Sequence, residues 1–281
     1  MALFVFSDLH ISDEEDPLYQ AFLSVLSHGF ERPQSGDTLV IAGDLFDLFV
    51  GNKKVFLNRY SAFFDSMRSL ANRGVSLHYI EGNHDFFLKT ALSSIPSLQV
   101  HSADFDLELG GKRFFFAHGD QVDCTEYGYR LLRGFFRSPV MKTLVSVVPG
   151  EWLDLIGKKS SQYSRSKKPL LIQDLETEKA ERLRRVYRSF AAERLCEGYD
   201  FVVLGHCHDL DEMWFNVGDR RGQYINVGYP RLHGAYLLWT PHAAEEKTGF
   251  VRKSFFDSNA LRREVSPGEV RNSPGLEKQS V

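Results

Sequence analysis

Short apolar runs that each stop at an aspartate, asparagine or histidine constrain this chain more than any other feature. Leu3 to Phe6, Thr38 to Ile41, Val75 to Ile80, Arg113 to Ala117 and Phe201 to Leu204 are rich in Val, Ile and Phe and run into turn residues, as buried strands ending in loops do. Helix-like stretches lie between them, at Leu18 to Ser27 and at Phe56 to Ala71. In the second, Phe56, Tyr60, Phe63, Phe64 and Met67 recur at helical spacing. The steps from Asp8 to Asp44, Asp44 to Asn83 and Asn83 to His118 are 36, 39 and 35 residues, each predicting one strand-helix-strand unit. Such alternation packs economically as an α/β or α+β layered domain.

His206 lies 88 residues after His118, which leaves roughly 50 residues more than one further unit requires. The sequence therefore predicts a core formed by 1–123 and 200–257, a helical cap inserted at 124–199, and a disordered, Pro-, Gly- and Ser-rich tail at 258–281 without catalytic residues. Two more strands are expected at Gln223 to Val227 and Gly234 to Trp239. Between Arg130 and Lys168 the insertion carries nine Lys or Arg against two acids, interleaved with Leu131, Leu132, Phe135, Phe136, Leu144 and Trp152. A self-packed helical cap with solvated charges explains this pattern, but so does a face for an amphiphilic anionic ligand.

A formal net charge of -3 does not suggest a nucleic-acid coat protein. Three cysteines, Cys124, Cys196 and Cys207, do not make a disulfide framework and are expected to be ordinary buried or half-buried thiols in a reducing compartment. No apolar run approaches the roughly 20 residues of a membrane span. With no signal-peptide pattern at Met1 to Asp8, a cytoplasmic protein is expected, with room to lie against a membrane.

Five motifs follow the predicted strands in order: Asp8-Leu9-His10, Gly43-Asp44-Leu45-Phe46-Asp47, Gly82-Asn83-His84-Asp85, His118-Gly119-Asp120 and Gly205-His206-Cys207-His208. Each alone has a bland reading as a turn or a strand end. Five in this order, each after a strand, point to one constellation. Residues i and i+2 of a strand share a face, so Asp8 and His10 can address one ion, as can His206 and His208, with Cys207 turned away. The glycines let backbones approach closely. Carboxylate oxygen with imidazole nitrogen suits Mn, Fe or Zn better than calcium. Two ions bring more positive charge than Asp8 and Asp44 cancel, so such a centre attracts phosphate and acidifies a bound water.

The five motifs together resemble those of the calcineurin-like metallophosphoesterases, across roughly residues 3 to 240. The resemblance implies a sandwich of two mixed β-sheets flanked by helices, with metals above the strand ends. It further implies that Asp8, His10, Asp44 and His208 hold one divalent ion, and that Asp44, Asn83, His118 and His206 hold the other, with Asp44 bridging. His84 is then a catalytic group beside the phosphate, with Asp85 fixing its orientation.

Within that family the chain resembles the UDP-2,3-diacylglucosamine hydrolases of lipid A biosynthesis, through Phe6-Ser7-Asp8-Leu9-His10, the Gly43 to Asp47 segment, and His118-Gly119-Asp120 followed by Glu126, Tyr129 and Arg130. That likeness implies an anionic sugar-nucleotide lipid as substrate, cut at the α-phosphorus to UMP and 2,3-diacylglucosamine 1-phosphate, typically with two Mn2+ ions. Substrate contacts are expected from Asn83, Glu126, Tyr129, Arg130, Arg133, Arg165, Lys167 and His206, and peripheral contact with the cytoplasmic face of the inner membrane. One departure is His84, where the best-known branch has arginine. The competing readings are a phosphodiesterase or nucleotide pyrophosphatase on a water-soluble substrate, for which the cap should close on itself, and a non-catalytic metal-binding module, for which a donor should be missing. A nuclease is disfavoured because the basic residues lie in an apolar helical insert and not along an open groove.

Overall fold

A strand that is covered on both faces needs apolar residues at every position, not alternate ones. That is why β1 (Leu3–Phe6), β2 (Thr38–Ile41) and β9 (Phe201–Leu204) are continuous apolar runs, buried throughout. The computed structural model describes residues 1–27, 32–167, 177–241 and 249–256. The predicted tail therefore lies outside the described residues.

The first sheet has six strands in the order β13 (Val251–Ser254), β12 (Ala235–Trp239), β1, β2, β4 (Ser76–Ile80), β6 (Gln99–His101). From β1 to β6 the strands are parallel, while β12 and β13 are antiparallel additions. The second sheet has five, ordered β10 (Glu212–Val217), β11 (Arg220–Asn226), β9, β8 (Lys112–Ala117), β7 (Phe105–Leu109), with β8, β9 and β11 parallel. A two-stranded ribbon pairs β3 (Phe49–Val50) with β5 (Asp85–Phe86). Both large sheets are thus mixed, as the family resemblance implies.

Side chains alternate across each sheet and build three cores. Leu3 and Val5 of β1 face Phe114, Phe116 and Val203 of the second sheet, and this filling joins the two sheets. Phe4 and Phe6 point the other way, under α1 (Pro17–Ser27), α2 (Lys54–Arg59) and α3 (Ser61–Asn72), where Tyr19, Phe22, Phe63 and Met67 are fully buried. On the outer face of the second sheet, Phe115, Val202 and Tyr224 pack against Tyr187, Ala191 and Leu195 of α7 (Thr177–Cys196). The order of layers is helix, sheet, sheet, helix.

Three expectations change. The single helix over Phe56 to Ala71 breaks at Tyr60 (φ -106°, ψ 27°), whose ring packs 4.0 Å from Phe46 and whose hydroxyl donates to the Ile11 carbonyl at 3.2 Å. The step from Asn83 to His118 is no strand-helix-strand unit. It holds β5, β6, β7 and a short 3-10 turn at Ala91–Ser94, and it carries the chain from one sheet to the other. Finally, Cys124 and Cys196 are exposed, and among the cysteines only Cys207 is withdrawn from solvent.

The inserted segment forms α4 (Tyr127–Phe136), α5 (Pro139–Val147), α6 (Gly150–Lys167) and α7, and a short α8 (Pro230–His233) follows later in the chain. By its packing, α7 is the outer layer of the second sheet, so α4 to α6 are what project. They are docked by a bidentate pair between Arg59 and Asp154, with both contacts at 2.7 Å, and by Lys53 donating to the Ser146 carbonyl at 2.8 Å. Their apolar residues do not close on each other. Tyr127, Leu131, Val140, Val147, Trp152 and Ile156 are all at least 60% exposed. No helix among the described residues is long and apolar enough to cross a membrane.

Candidate metal centre

Five parallel strands, three from the first sheet and two from the second, point their C-terminal ends at one edge of the sandwich. Each is followed by one of the five motifs. Asp8 and His10 come after β1, Asp44 after β2, Asn83 and His84 after β4, His118 after β8, and His206 and His208 after β9.

The donors do not sit on extended strand. Asp8, His10, Asp44, His206 and His208 have φ of 55°, 47°, 51°, 68° and 56°, a left-handed backbone that costs an L-residue about 1–2 kcal/mol. The idea that residues i and i+2 share a strand face is therefore replaced: tight loops, not pleat, aim these side chains. They are held by the partner loop, since the Asp8 and His10 amides donate to the Gly43 and Asp44 carbonyls, both at 3.1 Å. Two glycines permit the approach. A Cβ on Gly82 would lie 2.1 Å from Asp44 Oδ1, and one on Gly205 would lie 2.4 Å from Asp8 Oδ2.

Two donor groups result, each with ligand atoms within 4.8 Å of one another: Asp8, His10 and His208 in one, Asp44, His118 and His206 in the other. His206 and His208 thus diverge to different groups. A third set, His10, Asp44 and His84, connects the two. His10 Nε2 faces His208 Nε2 at 3.1 Å, His208 Nε2 is 3.4 Å from Asp8 Oδ1, and His118 Nε2 lies 3.0 Å from Asn83 Oδ1 and 3.4 Å from Asp44 Oδ2. Two ligands on an ion with bonds of about 2.1 Å stand roughly 3.0–3.4 Å apart, so these separations fit divalent ions. Cys207 lies in neither group; its sulfur accepts from Asn226 Nδ2 at 3.2 Å, and burial pushes its thiol pKa up.

The electrostatics fit a cation as well. Asp8 and Asp44 are buried, and their ion-pair partners among the described residues are histidines. Buried carboxylates without a countercharge are costly. Burial would raise the Asp44 pKa, but the imidazoles of His118 and His84 hold it well below the usual range. Burial would lower His118, yet the Asp44 carboxylate beside it pushes it up to about 10. Burial, then the charge of His118, takes His206 down to about 4. A divalent ion would replace these protons. A hydrogen bond behind the ring already sets the tautomer, because His118 Nδ1 donates to the Ala42 carbonyl at 3.0 Å and leaves the Nε2 lone pair for an ion.

His84 behaves differently from the expectation. Its Nδ1 donates to the Asp47 carbonyl at 2.8 Å, so Asp47, and not Asp85, orients the ring. Asp85 instead accepts from the amides of Gly82, Asp44 and Leu45 at 2.8, 3.1 and 2.8 Å and from the Tyr79 hydroxyl at 2.6 Å. It staples two donor loops together. Burial and the nearby Asp44 charge push its pKa up to about 7, against the four donors that favour the carboxylate.

Of the residues expected to contact substrate from the cap, Tyr129 and Arg133 reach the centre's rim. The Tyr129 hydroxyl donates to Asp120 Oδ2 at 3.0 Å, its ring lies 5.8 Å from that of His206, and Arg133 Nε also donates to Asp120. Glu126 and Arg130 stand exposed, with Glu126 at the N-cap of α4. Arg165 and Lys167 lie on α6, but their side chains fall outside the described residues.

Several supporting residues had no sequence signal. Arg184 and Arg188 of α7, spaced by four, form bidentate pairs with Asp209 and Asp211 just past His208. The Tyr187 hydroxyl between them donates to the Gly119 carbonyl at 2.9 Å. Arg231 donates to the His10 carbonyl at 2.6 Å, and the Tyr229 ring stacks on His208 at 4.4 Å.

The family model described as calcineurin-like phosphoesterase matches residues 1–210. Among curated proteins, the UDP-2,3-diacylglucosamine hydrolase of Nitrosococcus oceani is 28% identical over 231 residues, covering 81% of this chain and 87% of that protein. The proteins of the same name from Pseudomonas fluorescens and Psychromonas ingrahamii are 25% and 26% identical, over 80% and 81% of this chain and 86% and 94% of theirs.

Proposed function

Because the chain belongs to the calcineurin-like phosphoesterase family, and is therefore a metal-dependent phosphoester hydrolase, we propose that it cleaves UDP-2,3-diacylglucosamine at the α-phosphorus. The products are UMP and 2,3-diacylglucosamine 1-phosphate. Asp8, His10, Asp44 and His208 hold one divalent ion, and Asp44, Asn83, His118 and His206 the other, both Mn2+. Ions bound there supply positive charge for the diphosphate and an acidified water.

The chain's own residues do the rest. His84, with Nδ1 fixed on the Asp47 carbonyl, turns Nε2 toward the shared side of the two donor groups. From there it stabilises the charge on the transferring phosphoryl group and returns a proton to the departing phosphate. The oxygen from water stays on UMP, and the bond to the bridging oxygen breaks. Tyr129 and Arg133, held on Asp120, line the route by which the sugar phosphate leaves.

The observation that carries the lipid assignment is the open apolar face of α4 to α6. Tyr129 and Arg133 of α4 and Arg137 just after it share one face by their spacing of four and grip the core. Tyr127, Leu131 and Phe135, two residues out of step, occupy the opposite face and are 76%, 79% and 54% exposed. A water-soluble substrate has no use for such a surface, whereas acyl chains cover it. The relatives that bear the name UDP-2,3-diacylglucosamine hydrolase support the same reading. Basic residues of the same segment, Arg130 and Lys142 among them, would favour an anionic leaflet and support a peripheral position on the inner membrane.

The test is product analysis by mass spectrometry on a panel of UDP-2,3-diacylglucosamine, UDP-sugars without acyl chains, cyclic nucleotides and aryl phosphates. UMP and the diacyl sugar phosphate should dominate. Equal turnover of bare UDP-sugars removes the lipid assignment.

A further inference from the structure

Arg137, the residue after α4, gives three of its four hydrogen bonds to the loop that carries Asn83 and His84. One guanidinium nitrogen, Nη1, donates to Glu81 Oε2 at 2.8 Å and to the Ser102 carbonyl at 3.3 Å; the other, Nη2, donates to the carbonyls of Gly82 at 2.8 Å and Glu81 at 3.2 Å. Its side chain is only 15% exposed, and it lies 5.9 Å from the centre of the Phe86 ring. Glu81 in turn accepts the Leu88 amide on its other oxygen at 2.7 Å, so it closes residues 81 to 88 from both ends.

The Gly82 carbonyl and the Asn83 amide belong to one planar peptide unit. Holding that carbonyl from α4 while Asp85 holds the Gly82 amide at 2.8 Å fixes the plane from which Asn83 sets out toward His118. We propose that Arg137 is a positioning residue for the Asn83 side of the metal centre, and that it couples the seating of α4 on the core to the loading of one of the two ions. Lysine cannot substitute, because a point charge lacks the planar fork that reaches a carboxylate and three carbonyls at once. The first donor group, Asp8, His10 and His208, has no residue on this loop.

This inference rests on the metal-centre part of the proposed function and not on the lipid part, so it is tested without substrate. Metal-free full-length protein is titrated with Mn2+ in a calorimeter, comparing wild type, Arg137→Lys and the paired variant Arg137→Gln/Glu81→Gln, which leaves no buried charge alone. Wild type should load two ions. Both variants should load one ion as wild type does and the other with affinity reduced about 10- to 100-fold, the usual cost of losing an outer-shell partner. Their thermal midpoints without metal should fall, because the hydrogen bonds of a largely buried guanidinium are lost, yet one ion should still bind as in wild type. On bis-p-nitrophenyl phosphate at limiting Mn2+, kcat should fall and KM stay. Wild-type affinity for both ions in both variants overturns the proposal, and so does equal weakening of both ions in step with a lower thermal midpoint. If wild type binds no divalent ion, the proposed function itself fails first.

Discussion

Leu131 and Phe135 offer the sharpest test of the lipid reading, because their contribution can be worked from their exposure. They are 79% and 54% exposed on the outer face of α4, and fully burying a Leu or Phe side chain is worth about 1.5–3 kcal/mol. Covering both with acyl chains is therefore worth about 3 kcal/mol, or roughly 100-fold in an equilibrium constant. The double change Leu131→Ser/Phe135→Ser removes that gain. Its cost to the fold is about 0.5 kcal/mol at most from helix propensity at Leu131, plus the contact that the half-buried Phe135 ring makes with Phe136. Initial rates on UDP-2,3-diacylglucosamine in mixed micelles should show kcat/KM down about 100-fold, carried by KM. Hydrolysis of bis-p-nitrophenyl phosphate should be unchanged, and shortening the acyl chains should shrink the difference between variant and wild type. An unchanged KM for the long-chain substrate refutes the argument; an equal loss on both substrates shows that the helix was damaged instead.

Three further outcomes are expected. Asp44→Ala should lose both ions together, read as metal content by mass spectrometry, and activity should fall to background; retention of one ion at full occupancy contradicts a bridging role. His84→Ala should lower kcat by about 10²- to 10⁴-fold with metal content intact, and an unaltered rate takes it out of the mechanism. His78 supplies a pH effect on stability: burial and then the charge of His101 bring it down to about 4 from 6.5. The unfolded chain therefore binds this proton first as pH falls, so stability is constant above about pH 6.5 and declines by up to about 3 kcal/mol between there and pH 4. Urea unfolding of wild type and His78→Phe across that range should show the variant with the shallower slope, and identical slopes would disprove the assignment.

The strands were legible because a doubly buried strand must be apolar at every position, which β1, β2 and β9 are. The helix over Phe56 to Ala71 was legible in phase but not in continuity, since the break at Tyr60 answers to the ring of Phe46, a neighbour far away in sequence. Strands β6, β7, β10 and β13 escaped notice because they sit at sheet edges and carry polar or charged residues between their apolar ones. At the centre, the donor residues could be named from their motifs, but the way they aim could not. A left-handed backbone at Asp8 or His206 leaves no composition signal. Asp47 stood in a quoted motif without a role, because only the fold brings its carbonyl to His84. The arginines that hold the loops were indistinguishable from solvated charge. Arg137 read as part of a basic patch and Arg133 as a substrate contact, because their carboxylate partners, Glu81 and Asp120, lie in other segments of the chain.

The left-handed conformation of five donor residues has a further meaning for how this chain can vary. At those positions the backbone would be more comfortable with glycine or asparagine, so thermal hardiness and chemistry pull the sequence in opposite directions there. A lineage freed from the need to hydrolyse anything would be under no chemical demand to keep Asp8, His10, Asp44, His206 and His208. Finding all five still occupied by oxygen and nitrogen donors, in a backbone that disfavours them, is what a chain kept for its reactivity looks like.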